Sequence, residues 1–397
     1  MANLKKIHRK LLEATRRLRR SIEFGVDLPR DHIARLVRFR PAPIWREVKS
    51  PPSNTVFSRW YRPARMLIES QSAMVTVAPA SIQPGNPGVF PNGVTITSEP
   101  ALVYWIPSAI YHGYHGAITD SQGTIFPESV DHNLTHLDLT KAKGRSMRFK
   151  GRAMVLSWSK NYYHWLTKIL PRLDLIERAE GSLDRIETFL IDNPSWRQQH
   201  VYERLGIWSR CVVVDSKSFA SCRMLVAATI AHDCPDWACR YLNRVFNPGP
   251  LSNPAPSRMI YVARGETAHR AIINESEVCA MLQGYGFEIV HCGALDVQDQ
   301  ASLFADSRII VSPHGAALSN LVFCRPGTTV LEIFGTPENQ KMYWLVSHRR
   351  NLRYQYLMAE SIPSSLHPNM RDMRIDLRTL ARNVEQLLED IAVVPPQ

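Results

Sequence analysis

Residues 308–334 read RIIVSPHGAALSNLVFCRPGTTVLEIF. The apolar run at 309–311 is typical of a short strand that is buried on both faces. The Ser-Pro-His-Gly sequence at 312–315 breaks that strand, and residues 316–321 predict the first turns of a helix. A Pro-Gly turn follows, and residues 328–334 predict a second buried strand. This alternation of buried strands and helices indicates an α/β fold with a parallel sheet.

The turn between the first strand and the helix suits a phosphate group. In an open parallel sheet, ligands sit beyond the carboxyl ends of the strands, where loops lead into helices. Gly315 and the two alanines after it let the backbone approach a ligand closely. The N–H groups and the dipole at the start of a helix attract an anion. On this pattern alone, a Rossmann-like turn without a nucleotide is at least as good an interpretation as a nucleotide site.

A second motif, NYYHWLTKILPRLDLI, occupies residues 161–176. Its apolar residues recur at helical spacing, and Pro171 predicts a kink in that helix. Asn161 can cap the helix start, which leaves His164 close to the N-terminal end. The helix dipole lowers the pKa of an imidazole there, so the neutral form can act as a general base at pH 7. The spacing alone favours the alternative, a structural histidine bonded to a neighbouring backbone group.

The two motifs resemble glycosyltransferase family 61. The family's C-terminal signature is His-Gly-Ala-Gly-Leu-Thr-Asn, followed by a Pro-Gly turn and a strand that ends in Glu. Residues 314–320 and Glu332 match this signature, and Ala317 stands where the family usually has Gly. The resemblance extends roughly from Ser157 to Phe334.

The N-terminal motif of the family is matched as well. Members carry an Asn–aromatic–His–Trp segment that leads into an acidic residue and Leu-Pro-Arg-Leu, and the chain follows this pattern from Asn161 to Leu173. Lys168 stands where the acidic residue is usual. If that acid orients the histidine or binds the acceptor in relatives, another group does so here, or the activity is altered.

The resemblance implies an inverting transfer of a sugar from a nucleotide-sugar to a hydroxyl of a glycan or glycolipid. It also implies two Rossmann-like domains of the GT-B type. Glu332 is expected to accept hydrogen bonds from ribose, and Arg264 to grip the diphosphate. His164 is the expected catalytic base. The expected donor-binding residues are Arg264, Arg270, His314, Gly315, Ala316, Asn320 and Glu332, and the acceptor-side residues are Asn161, Trp165, Lys168 and Arg172. No metal or other cofactor is expected, since the chain lacks an Asp-x-Asp motif.

Four segments can be distinguished along the chain. Residues 1–50 are a basic amphipathic segment with a linker. Residues 51–246 form the acceptor-side domain, in which an antiparallel β-rich lead-in precedes an α/β part. Residues 247–257 contain four prolines and predict the domain boundary. Residues 258–397 form the nucleotide-sugar-binding α/β domain.

The composition predicts a soluble cytoplasmic protein. Apolar residues make up 45% and charged residues 21%, as in globular proteins, and no run reaches the roughly 18 apolar residues of a membrane span. The N-terminus lacks the apolar core of a signal peptide, and an odd number of cysteines, seven, fits reduced thiols. Surface polysaccharide synthesis, the role associated with the bacterial branch of the family, is the preferred interpretation. The alternative is a non-catalytic nucleotide-sugar-binding or scaffold protein, for which Lys168 is the best support.

The first 50 residues carry most of the net charge of +12, with fourteen Lys or Arg residues against five Asp or Glu. Residues 1–23 predict a basic amphipathic helix, which can lie peripherally on an anionic inner membrane surface. A solvated or partner-packed helix explains the pattern equally well. Nucleic acid is not an expected partner, because no recognised binding module or aromatic-rich basic platform accompanies the charge.

Deletion of residues 1–23 tests the membrane interpretation. The full-length protein should sediment with anionic vesicles, and added salt should release it, because salt screens the attraction. The truncated protein should stay in the supernatant. Equal vesicle binding by the two proteins would leave the solvated or partner-packed helix as the interpretation.

Overall fold

The computed structural model describes most of the chain from residue 145 onwards and shorter segments before it. The described residues are 65–69, 75–77, 81–82, 90, 93–96, 100–113, 116–120, 126, 145–156, 161–246, 255–265, 269–336 and 341–393. The predicted basic helix at 1–23 and residues 247–254 of the predicted linker lie outside them.

The strands, in chain order, are β1 (Arg65–Glu69), β2 (Val75–Val77), β3 (Ser81–Ile82), β4 (Val94–Ile96), β5 (Ala101–His112), β6 (Ile118–Thr119), β7 (Ser146–Val155), β8 (Thr188–Ile191), β9 (Cys211–Val213), β10 (Phe219–Ala228), β11 (Arg258–Val262), β12 (Glu288–Val290), β13 (Ser307–Pro313), β14 (Thr329–Phe334), β15 (Arg353–Met358), β16 (Glu360–Ser361) and β17 (Met373–Arg374). The two strands predicted from the opening motif are thus confirmed as β13 and β14.

The α-helices are α1 (Tyr162–His164), α2 (Arg172–Glu180), α3 (Trp196–Arg204), α4 (Asp236–Phe246), α5 (Glu275–Gly284), α6 (Val297–Ala305), α7 (Met342–Arg349) and α8 (Leu377–Val393). A π-helix covers Trp165–Ile169, and 3₁₀ helices cover Leu183–Arg185, Trp208–Arg210, Cys292–Ala294, Ala316–Phe323 and Pro368–Met370. The helix predicted after Gly315 is therefore a 3₁₀ helix.

A six-stranded sheet has the order β12-β11-β13-β14-β15-β3, and its neighbouring strands pair in parallel throughout. Its central strands are almost entirely buried, as expected for a parallel sheet that is covered on both faces. Leu380, Val384 and Leu387 of α8 are buried in the same core as Ile309 and Val311. One face of α8 therefore packs on the parallel sheet.

The other large sheet has the order β1-β5-β10-β7-β8-β9, with β6 paired to β5. It mixes directions, because β1 and β5 are antiparallel whereas β8 and β9 are parallel. The antiparallel character predicted for the lead-in is confirmed, but its long strands share a sheet with the strands of the α/β part. This mixed sheet differs from the first of the two Rossmann-like domains predicted, and the GT-B arrangement stays a prediction.

The chain divides into two compact units that do not follow the predicted boundary at 247–257. The described residues within 105–153 and at 214–225 belong to one unit. Those within 65–104, at 154–213 and from 226 onwards belong to the other, which holds both motifs and the whole parallel sheet. Strand β3 of the lead-in joins this sheet by pairing with β15. Within the part of the chain that is described, no helix is long and apolar enough to cross a membrane.

Candidate functional site

A small cavity that is open to solvent lies beyond the carboxyl ends of β13 and β14. The order of the parallel sheet explains this place. From β11 the chain passes to β12 on one side, and from β13 it passes to β14 on the other, so a crevice opens between the ends of β11 and β13. Arg264 follows β11 and His314 follows β13. The side chains around the cavity include Arg270, His314, Phe334, Thr336, Asn369 and Arg371.

A buried hydrogen-bonded chain fixes the ring of His314. Glu332 of β14 is fully buried, its Oε1 lies 2.5 Å from Nδ1 of His314, and its Oε2 accepts a hydrogen bond from the Tyr354 hydroxyl at 2.5 Å. Burial and the neighbouring Glu332 carboxylate raise the pKa of Tyr354 well above its ordinary value, so this hydroxyl keeps its proton. With Glu332 ionised, its carboxylate accepts from both partners, and the imidazole proton that faces it lies on Nδ1 of His314.

This arrangement corrects the expected role of Glu332. Both carboxylate oxygens are engaged inside the protein, and the residue has no exposed surface with which to accept hydrogen bonds from ribose. Its geometry suits a different task, which is to orient His314 so that Nε2 is the ring nitrogen available to a ligand.

Aromatic rings hold the imidazole from its sides. The ring of His314 stacks on Phe334 with centroids 5.2 Å apart and planes 24° apart, and it meets the Tyr343 ring at the same centroid distance. Phe90 packs edge-on against Phe334 and Tyr356 behind this pair. The imidazole therefore has little rotational freedom, which favours a defined direction for its second nitrogen.

Gly315 leaves space for a guanidinium. Its backbone is extended (φ −177°, ψ 166°), a conformation that any residue can adopt. A Cβ atom there would lie 2.8 Å from Nη1 of Arg264. Nη1 donates to the carbonyl of His314 at 2.9 Å, and Nη2 donates to the carbonyl of His269 at 3.1 Å. Arg264 thus fastens the two loops at the crevice, and its contact with a diphosphate stays a prediction.

Two arginines concentrate positive charge beside His314. Burial, together with the like charge of Arg270, lowers the pKa of Arg264 to about 10, and burial also lowers the pKa of Arg270. Both guanidinium groups therefore remain charged at neutral pH. Arg270 has a left-handed backbone (φ 58°), which is uncommon outside glycine and indicates a constrained loop. Glu275 holds the same loop by accepting hydrogen bonds from the N–H groups of Arg264 and Gly265.

Asn320 joins the two sequence motifs instead of facing the cavity. It is fully buried; its Nδ2 donates to Gln300 and to the carbonyl of Ala317, and its Oδ1 accepts from the Tyr162 hydroxyl at 2.8 Å. Because its amide is satisfied within the protein, the predicted donor contact does not fit this geometry. Ala316, in contrast, is partly exposed at the start of the 3₁₀ helix, where its backbone can approach a ligand.

The cap predicted at the start of the second motif is confirmed. Oδ1 of Asn161 accepts hydrogen bonds from the N–H groups of Tyr163 at 2.9 Å and of His164 at 3.4 Å. His164, half-buried, therefore lies in the first helical turn as predicted. The helix then widens into the π-helix, and the N–H of Leu170 donates to the carbonyl of Trp165. The sequence predicted a kink at Pro171, because proline has no N–H to donate. The structure shows this wider turn before Pro171 instead.

Three of the four predicted acceptor-side residues are buried, namely Trp165, Lys168 and Arg172. The indole N–H of Trp165 donates to the Tyr202 hydroxyl at 3.0 Å, and the two rings meet edge to face. Trp165 is thus a core residue, and the acceptor-side assignment of these residues stays a prediction. Only Asn161 is exposed, and its side chain is committed to the cap.

The two motifs meet through Tyr343. Its ring packs edge-on against Tyr163, with centroids 5.7 Å apart, and on its other side it contacts His314. The hydrogen bond from Tyr162 to Asn320 makes a second connection. The segment that carries His164 is therefore packed directly on the segment that carries His314.

A metal centre is not seen at this site. Over the ranges that the structure describes, no three His, Cys, Asp or Glu side chains form a group that could hold a metal ion. Cys234 and Cys239 are buried thiols with their sulfurs 3.5 Å apart. The expectation that the protein uses no metal stays a prediction.

Several residues of this site do not emerge from the sequence patterns: Thr336, Tyr343, Tyr354, Asn369 and Arg371. Tyr354 shares a face with Glu332 because Tyr356, two residues further on, is the register partner of Glu332. Because the two tyrosines of β15 are two residues apart, they lie on the same face of the strand. Only the register shows that this face is the one that carries Glu332. Tyr343 lies in the first turn of α7, Asn369 lies in a short 3₁₀ helix, and Thr336 and Arg371 follow the ends of elements, so none of the four belongs to a long periodic pattern.

Tyr354→Phe tests the buried chain. Removing the hydroxyl leaves one oxygen of a fully buried carboxylate without its donor, which should lower the free energy of unfolding by about 1–3 kcal/mol. Tyr285→Phe is a matched control, because the Tyr285 hydroxyl donates to Glu385 at an exposed position, and it should leave stability nearly unchanged. Urea denaturation of the two variants measures the difference, and equal midpoints would contradict a structural role for the chain.

The family comparison covers the central part of the chain. A family model described as Glycosyltransferase 61 matches residues 162–331. The match begins one residue after the Asn161 cap and ends one residue before Glu332, so it spans His164 and the His314–Asn320 signature. Comparison with curated proteins gives no significant match. In residues 162–331 the chain is therefore similar to glycosyltransferase family 61.

Proposed function

We propose that the protein is an inverting, metal-independent glycosyltransferase that uses a nucleotide-sugar. The observation that carries the proposal is the imidazole of His314, held by a fully buried carboxylate beside the half-buried Arg264 and Arg270 at the mouth of a cavity. An oriented imidazole among cationic side chains suits the diphosphate of a donor, and the family match makes sugar transfer the corresponding chemistry.

The donor would lie at the carboxyl ends of β11, β13 and β14. Arg270, the Nε2 side of His314 and the backbone around Gly315 and Ala316 would meet its phosphate oxygens. As the bond between C1 of the sugar and the phosphate oxygen breaks, negative charge grows on the departing nucleoside diphosphate. Fixed cationic groups stabilise that charge without reorganisation, which is the task that a divalent ion performs in other enzymes.

The acceptor would enter beside α1. Its hydroxyl oxygen attacks C1 from the face opposite the phosphate, so the configuration at C1 inverts. The hydroxyl proton passes to His164, and the nucleoside diphosphate leaves with the electron pair of the broken bond. Packing of α1 on the signature segment through Tyr163 and Tyr343 supports this arrangement. His164 is thereby proposed as the general base.

The proposed setting is the cytoplasm, with the enzyme attached peripherally to the inner face of the membrane through residues 1–23. The acceptor would be a glycan or glycolipid in surface polysaccharide synthesis. A non-catalytic nucleotide-sugar-binding protein is the second candidate, because Lys168 replaces the usual acid and is buried. Turnover of a nucleotide-sugar separates the two, since a scaffold would bind the donor without consuming it.

Gly315→Val tests the donor site. The added side chain would displace the guanidinium of Arg264, since even a Cβ atom lies 2.8 Å from Nη1. Nucleoside diphosphates should bind at least about tenfold more weakly, as expected when a charge-assisted contact is lost. Gly293→Val is the control, because a Cβ atom at Gly293 meets nothing within 4 Å among the described residues. Calorimetric titration measures the diphosphate affinity of both variants. If Gly315→Val binds as tightly as Gly293→Val, the donor does not bind at this loop.

His164→Ala tests the catalytic base. Loss of a general base typically lowers the rate about 10²–10⁴-fold, whereas donor affinity and melting temperature should stay nearly unchanged. His200→Ala is the control, because His200 is an exposed histidine on α3, and it should retain full turnover. If His164→Ala keeps more than about a tenth of the activity, a carboxylate of the acceptor side becomes the next candidate.

A further inference from the structure

One wall of the cavity comes from outside the family-matched segment. Pro368, Asn369 and Arg371 line it, and they lie about 40 residues beyond the matched residues 162–331. Asn369 is 6% exposed, and its Oδ1 accepts a hydrogen bond from the Thr336 hydroxyl at 2.9 Å. Its Nδ2 is buried and has no hydrogen-bond partner among the described residues. A buried amide donor without an acceptor costs free energy, so this group indicates a ligand that supplies one.

The charges around the cavity indicate which acceptor is missing. Arg270 and Arg371 both line it, and neither forms an ion pair with a described residue. The Nε of Arg270 is buried without a partner among the described residues, whereas the Nε of Arg371 donates to the carbonyl of Leu366. Two cations and a neutral donor around one small cavity match the oxygens of an anion better than those of an uncharged ring.

The neighbouring carboxylates do not fill this role. Glu332 is engaged by His314 and Tyr354, and Asp372 accepts a hydrogen bond from the N–H of Ala271 at 2.8 Å. The carboxylate of Glu275 accepts hydrogen bonds from backbone N–H groups of the loop after β11. Among the described residues, none of these carboxylates forms an ion pair with Arg270 or Arg371, so an anionic ligand can bind to the two guanidinium groups.

The two walls are held together before any ligand arrives. The N–H of Met373 donates to the carbonyl of Ala271 at 2.9 Å, and the N–H of Ile273 donates to the carbonyl of Met373 at 3.0 Å. The amide of Asn274 adds two hydrogen bonds to the backbone of Ile375. Arg270 thus keeps a fixed position relative to Asn369 and Arg371, which reduces the entropy lost when a ligand binds.

We propose that Asn369 is a donor-binding residue that gives its Nδ2–H to a phosphate oxygen of the nucleoside diphosphate. Arg270 and Arg371 supply the charge around the same group. This inference rests on the proposed function, because it names a contact of the same donor. The segment that carries Asn369, which follows the family-matched residues, would thus help to recognise the donor. The Thr336 hydroxyl would orient the side-chain amide of Asn369.

The test is calorimetric titration of the full-length protein with UDP, GDP, ADP and CDP. Asn369→Asp keeps the oxygen that accepts from Thr336 but replaces the donor by a second oxygen, so it should bind the preferred diphosphate at least about tenfold more weakly. Arg371→Gln should also weaken binding. Asn383→Asp is the matched control, because Asn383 is equally buried on α8 and bonds to Thr379 instead of lining the cavity; it should bind as the wild type does.

Each outcome decides the proposal. If the wild type binds a diphosphate and Asn369→Asp binds it equally well, the contact is absent and the proposed function stands. If the wild type binds none of the four diphosphates, the contact and the proposed function both fail. Should Asn369→Asp not fold, Thr336→Val removes only the hydroxyl that orients the amide. Its affinity should then fall by a smaller factor, and an unchanged affinity would overturn the proposal.

Discussion

The buried carboxylate of Glu332 is the constraint on which the site depends. A carboxylate with no exposed surface must have its oxygens satisfied by donors, and here the donors are a tyrosine from β15 and an imidazole from the end of β13. The three groups come from neighbouring parallel strands, so the sheet itself sets their spacing. The hydrogen bonds that satisfy the buried Glu332 side chain thus also orient one histidine at the edge of the cavity.

The strand order of the parallel sheet opens a crevice next to His314. Because β11 and β13 are neighbours whose connections leave in opposite directions, the loops after them separate and leave room for a ligand. Arg264 fastens these loops, and Gly315 makes space for its guanidinium. The aromatic contact of Tyr343 then brings the helix that begins at Asn161 onto the same edge. The packing of Tyr343 and the hydrogen bond from Tyr162 to Asn320 therefore join the two sequence motifs.

The sequence predicted the local features well and the long-range ones incompletely. Strands β13 and β14 and the Asn161 cap follow from periodicity and capping, which depend on near neighbours. The burial of Trp165 and Lys168, the satisfied amide of Asn320 and the position of Tyr354 depend on contacts between distant segments. For Tyr354 the missing information is the strand register, which periodicity does not supply. The addition of β3 to the parallel sheet was missed for the same reason.

The central claim is that a nucleoside diphosphate meets the Nε2 side of His314 while Glu332 holds Nδ1. Nitrogen NMR of the protein labelled at its histidines measures this most directly, with the His314 signals assigned from a His314→Gln variant. The account predicts a protonated Nδ1 with a strongly hydrogen-bonded proton, and an Nε2 resonance that moves when the diphosphate is added. A proton on Nε2 alone, or an Nε2 signal unchanged by a diphosphate that calorimetry shows to be bound, would contradict the account.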